Sequence, residues 1–172
     1  MAVQGLLAIE VGRYSGSKPR SLFLQTEAVQ KGFITGSAQT LYESAVTQSV
    51  VYLGGTAAAA ATYLAQVKAD VNWTASGANP LKAIFTQKWV AMNGINPVTI
   101  WDDVRRNWNY TTGTTYPDFL HWSADAAKLN PTPCIRLLYP QTEISTNNDN
   151  VLLQGNINLF TSRIFWMPAP TK

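Results

Sequence analysis

Between Asn79 and Tyr110, apolar residues recur at three- and four-residue steps in two runs separated by Asn93-Gly94. Leu81, Ile84, Phe85, Trp89 and Met92 form the first stripe; Val98, Trp101, Val104 and Trp108 form the second. This spacing is that of helices with one wide apolar face. Asn79-Pro80 and Asn96-Pro97 each place a capping amide before a proline, whose missing N–H has no partner at the first helical position anyway. Gly94 can take the left-handed conformation that closes a helix. Two stripes joined by so short a loop predict an antiparallel αα-hairpin over 79–108, with Trp89 and Trp101 in its core.

A second hairpin is predicted upstream. Ser21 can cap a helix running to about Lys31, closed by Gly32, with Phe23, Leu24 and Ala28 on its inner face. Ser37 caps a longer helix through Leu53, whose small-residue face carries Leu41, Tyr42, Ala45, Val46, Ser49 and Tyr52. The two hairpins, 21–53 and 79–108, start about 58 residues apart, longer than a strict tetratricopeptide period. Between them, Thr56–Asp70 should be helical by its alanine content, and Asn72–Ala78 forms a polar loop. Met1–Arg20, broken by Gly12, Gly16 and Pro19, is a linker or a residual strand. After Tyr110 the helical pattern stops. Thr111–Thr115 is a Thr/Gly loop, Ser123–Leu129 one short helical piece, and prolines 117, 131 and 133 favour extended chain. From Arg136 onward the chain should be mostly irregular, with Ile164–Met167 extended and Trp166 buried. The expected fold is a single, mainly α domain over 1–172, built of tetratricopeptide-like αα-hairpins with a long irregular C-terminal wrap over 111–172.

Composition narrows the function classes. The chain of 172 residues is 46% hydrophobic but only 13% charged, about half the usual charged fraction, so surface polarity falls to Asn, Thr, Gln and Ser. The net charge of +3 comes from scattered Lys and Arg, without the cation cluster that a nucleic-acid groove needs. Cys134 is the only cysteine, which excludes an intrachain disulfide and a cysteine-based zinc site. MAVQGLLAIEVG lacks a basic region and is not a signal peptide. The uncharged run Ser44–Val67 is split by Gly54-Gly55 and rich in Ala, Thr, Ser and Gln, so it does not predict a membrane span. The chain is expected to be soluble.

The residues argue against catalysis and predict no cofactor or metal. Asp102 and Asp103 are neighbours on a helix and point about 100° apart, which does not suit a carboxylate pair on one substrate atom; Arg105 and Arg106 stand at ion-pairing steps from them. His121 is the single histidine, flanked by Leu120 and Trp122, and no nucleophile elbow is present. Cys134 lies between Pro133 and Ile135, an apolar setting for a thiol. Gly54-Gly55 lacks the lysine and spacing of a phosphate loop. Asn147–Asn150 lacks the spacing of a calcium loop and suits a plain turn. Carbohydrate recognition, by contrast, needs aromatic rings flanked by amides and hydroxyls. Trp73 with Asn72 and Thr74, and Trp108, Tyr110, Tyr116, His121 and Trp122 around Thr111–Thr115, offer that mixture.

Three stretches, in order, resemble one family. TQKWVAMNGINPVTIWDDVRR is similar to the Gln-Lys-Trp, Asn-Gly, Trp, Arg-Arg block of the SusD/RagB family, the surface glycan-binding lipoproteins of Bacteroidetes. Ser21–Gly54 is similar to that family's first helix pair, and RLLYPQTEISTNNDNV with FTSRIFWM to its C-terminal signature. The resemblance implies the C-terminal part of a protein lipid-anchored on the outer face of the outer membrane. It implies capture of an oligosaccharide and its delivery to a SusC-like TonB-dependent transporter, with no bond-breaking. It transfers no particular binding residue. Glu27, in the family's Ala-Glu-Ala position, sits among apolar neighbours and should need a cation; Arg105 or Arg106 is the expected structural partner. A helical-repeat adaptor for other proteins, without sugar affinity, is the alternative.

Overall fold

The computed structural model describes residues 17–107 and 134–167. Among these residues the regular structure is helical, with no strand. They divide into two compact units with the boundary after Val104, where the sequence pattern suggests one domain.

The first unit is built on two helices, α1 (Ser17–Gln30) and α2 (Ala38–Tyr52). Helix α1 begins four residues before the expected Ser21. Pro19 does not break it, because a proline in the first turn removes only an N–H that would have no intrahelical partner. Gly32, at φ 75°, ends the helix in the left-handed region, and Phe33 N donates back to Ala28 O at 2.9 Å. Ser37 caps α2 as its sequence predicts, with Oγ accepting from Thr40 N at 3.2 Å.

The buried faces differ in detail from the stripes. In α1 the inward residues are Pro19, Phe23, Thr26 and Glu27, while Leu24 is 42% exposed. Thr26 can be buried because its hydroxyl donates to Leu22 O at 2.8 Å. In α2, Tyr42, Ala45, Val46 and Ser49 are buried and Tyr52 is exposed. Phe23 meets Tyr42 edge-on, with ring centroids 6.3 Å apart. Helix α3 (Ala57–Leu64) is capped by Thr56, whose hydroxyl accepts from Ala59 N at 3.1 Å. It stops well short of Asp70. Asn72 Nδ2 donates to Leu64 O at 2.9 Å, which satisfies a carbonyl at the helix end and turns the chain into the 72–78 loop.

Helices α4 (Pro80–Met92) and α5 (Pro97–Arg106) stand where the paired Asn-Pro starts place them. Asn79 Oδ1 accepts from Lys82 N at 3.3 Å, and Asn96 Oδ1 from Thr99 N at 3.2 Å. Helix α4 packs mainly on α1 and α2, so the expectation that it zips chiefly against α5 gives way to a helix laid on the first hairpin. Its burial is correspondingly broad: six consecutive residues, Ala83 to Lys88, are buried. Trp89 and Trp101, expected in the core, are only half-buried, and Val98 is 67% exposed; Ile100 and Val104 carry the inner face of α5.

The second unit has its own small core, with Arg105, Asn107, Ile135 and Met167 buried. Ile135 N and Arg136 N both donate to Leu159 O, at 2.9 and 3.3 Å. Within the stretch expected to be irregular, two short helices form, α6 (Gln141–Thr146) and α7 (Asn148–Leu153). Asn147 is the joint between them rather than part of a four-residue turn. Its Nδ2 donates to Glu143 Oε1 at 2.6 Å. Residues 164–167 close a turn, Met167 N donating to Ile164 O at 3.0 Å, instead of running extended.

Candidate functional site

Aromatic side chains are the residues from which a binding surface could be made, and each unit carries a tryptophan with open surface. In the first unit, Trp73 enters the 72–78 loop directly after Asn72, whose Oδ1 accepts from Ala75 N at 2.9 Å and fixes the bend. The indole leans on Tyr42, centroids 5.4 Å apart at 49°, and is half-buried. Trp73 is thus a loop residue seated on the core, with part of its surface open.

Tyr42 itself is fully buried and donates its hydroxyl to Val71 O at 2.8 Å. Burial foremost, then the neighbouring Tyr63, Asp70 and Glu43, pushes this phenol far above the ordinary tyrosine range, so it stays protonated as a donor. Gln87 crosses from α4 to bond the Tyr63 hydroxyl and Asp70 O, the latter at 2.8 Å. These bonds tie the loop that carries Trp73 to the helices beneath it.

Two buried charges lie in the same unit. Lys88, 1% exposed, pairs with Asp103 of α5 at 2.5 Å. Glu27, 5% exposed, pairs with Lys31 one turn along α1 at 2.7 Å. The burial of Glu27 is deeper than its sequence setting suggests. Asp103 takes a cation from another helix, a partnership the i,i+3 and i,i+4 steps along α5 do not reveal. The sequence does hold a signal for Lys88: it lies four residues after Ile84 and four before Met92, on the apolar stripe itself. A lysine in that place must be buried with a partner.

In the second unit, Trp166 is 40% exposed, and the Arg105 guanidinium lies 4.9 Å from its ring centroid. The buried place expected for Trp166 is therefore overturned. Residues 164–167 turn at this point, and only Met167 is carried inward. Arg105 Nη1 also donates to Ile135 O at 3.1 Å; Arg106 is half-buried. A separate cleft of about 520 Å³ lies along α6 and α7, lined by Leu138, Tyr139, Ile144, Val151, Leu152 and Ile157 among others. Its walls are mostly aliphatic, with Tyr139 and Asn156 among them.

Trp108, Tyr110, Tyr116, His121 and Trp122 lie outside the described residues. Among the described residues no group of three or more His, Cys, Asp or Glu side chains could hold a metal ion. No helix there is long and apolar enough to cross a membrane. Cys134 Sγ donates to Arg136 O at 2.8 Å.

No curated protein and no solved structure matches the chain. A family model does, described as starch-binding and associating with the outer membrane, and it covers residues 20–140. That span includes both helix pairs and the Gln87-Lys88-Trp89 and Arg105-Arg106 motifs, and it is well over half of the 172 residues; the protein belongs to the SusD-like family.

Proposed function

We propose that the protein captures an oligosaccharide at the outer face of the outer membrane and passes it to a SusC-like TonB-dependent transporter. Binding and delivery, not bond cleavage, are its work. The observation that carries this reading is the SusD-like match over 20–140, on a chain whose described residues are helical without strands. A family-type lipid anchor would hold the full-length protein at the membrane. The helices supply scaffold, and loops supply contact. Trp73, Trp108, Tyr110, Tyr116 and Trp122 are the proposed stacking residues, because an indole or phenol ring covers the apolar face of a sugar while neighbouring amides and hydroxyls meet its rim.

Calorimetric titration of maltoheptaose and a panel of other neutral oligosaccharides, on this chain and on the full-length protein, tests the reading. Saturable binding of at least one glycan is expected. A folded protein that binds none of them, yet retains a protein partner, would favour an adaptor. The aliphatic cleft along α6 and α7, with Leu138, Leu152 and Leu153 exposed beside it, is the feature that supports that second reading.

A further inference from the structure

We propose that Trp166 is a sugar-stacking platform, with a pyranose ring lying on the indole face opposite Arg105. The assignment rests on the glycan-binding reading and adds to it a residue outside the matched span.

Three observations carry it. The first is exposure. Phe165 is 99% and Trp166 40% exposed, although Arg105, which covers the ring, and Met167, the next residue in the chain, are 5% and 6% exposed. Large aromatics are ordinarily drawn inward, and an open pair at a fixed turn marks a contact surface. The second is rigidity. The Arg105 guanidinium covers the ring at 4.9 Å and is itself held by Ile135 O at 3.1 Å. The turn beneath is closed by the Met167 N to Ile164 O bond at 3.0 Å. A ring held in this way loses little conformational freedom when a ligand settles on it, which is what makes a rigid aromatic an effective anchor.

The third is the chemistry of the surroundings. The preceding loop carries no charge from Gln154 to Ser162, before Arg163, and its exposed positions include Asn156, Asn158 and Thr161. It is internally braced: Asn158 Oδ1 accepts from Phe160 N and Thr161 N at 2.8 and 3.2 Å. A pyranose has the same division, an apolar C–H face within a rim of hydroxyls. The cation already occupies one face of the indole. Dispersion and apolar burial are what remain on the other face, and these suit a neutral sugar better than a charged ligand. An apolar peptide would instead seek a continuous groove such as the cleft along α6 and α7, whose lining does not include Trp166.

The test uses maltoheptaose with the full chain. In calorimetry, Trp166→Ala should weaken binding about tenfold or more, the scale of losing one stacked ring, and Trp166→Phe should restore most of it. Circular dichroism checks that each variant is folded. A folded Trp166→Ala with wild-type affinity overturns the platform and leaves the glycan reading intact. A wild-type chain that binds no maltoheptaose overturns the platform as tested; the glycan reading falls with it only if no other oligosaccharide of the panel binds. Should Trp166→Ala fail to fold, the wild-type chain still decides. Maltoheptaose should protect Trp166 from N-bromosuccinimide oxidation, as seen by peptide mass spectrometry. Unchanged oxidation of Trp166 under saturating sugar refutes the proposal.

Discussion

Lys88 and Asp103 allow a sharp test of what a buried ion pair does in this scaffold. The lysine side chain is 2% exposed and the aspartate side chain 16%, with Nζ and Oδ2 2.5 Å apart. At an effective dielectric of about 20, two unit charges at that separation attract by roughly 7 kcal/mol. Removing both ions from water costs several kcal/mol each, so the net worth of the pair is small. Breaking it is another matter, because the survivor stays buried and loses the 2.5 Å contact with this counter-charge. Asp103→Asn strands the deeper group and should cost about 4–5 kcal/mol; Lys88→Met leaves a carboxylate that can partly rehydrate and should cost about 3 kcal/mol. The double variant Lys88→Met/Asp103→Asn, which leaves no buried charge at the pair, should regain much of the loss, giving a large non-additive coupling. Guanidinium unfolding monitored by circular dichroism measures this, and thermal melts should fall by about 2–4 °C per kcal/mol in a chain of this size. Single variants each within 1 kcal/mol of wild type, or a double variant equal to the sum of its parts, would refute the argument.

Two further outcomes follow from the geometry of the first unit. Above pH 10 the unfolded chain releases the Tyr42 proton, whose ordinary pKa is 10.0, while burial keeps it on in the folded state. The folded state then binds more protons than the unfolded one, so stability is intact below about pH 10 and falls above it by up to about 1.4 kcal/mol per pH unit. Tyr42→Phe should remove that alkaline component, at the cost of the bond to Val71 O, and chemical denaturation from pH 8 to 11 reads both effects. At Gly55 an added Cβ would lie 2.6 Å from Val50 Cγ1 and 3.0 Å from Val50 O. Gly55→Ala should therefore cost about 1–3 kcal/mol by overpacking, whereas a melting temperature equal to wild type would show that the chain beyond α2 gives way freely.

The sequence by itself determined most of the helix boundaries of the first unit, although α1 begins before Ser21 and α3 ends before Asp70. Ser37, Thr56, Asn79 and Asn96 each accept a backbone N–H three residues on. Gly32 and Gly94 both take positive φ. Caps and left-handed closures are local, so their chemistry is written within a few neighbouring residues. Three blocks of residues also sufficed to name the family. The site was less legible. Trp73 could be placed on a loop, but its seat on Tyr42 depends on a contact 31 positions away, and nothing near Trp166 in the chain announces Arg105.

Only the tertiary structure decided which faces are buried. Helix α4 is covered on most sides because it lies on α1 and α2, so Gln87 and Lys88 are inside and Trp89 is half out. Periodicity describes one face meeting one partner, and it cannot say how many partners a helix will have. In the same way, Trp166 is open because Met167 fills the small core of the second unit and Arg105 holds the ring at its edge. Caps and turns are fixed by neighbours in the chain; burial and charge pairing are fixed by neighbours in space.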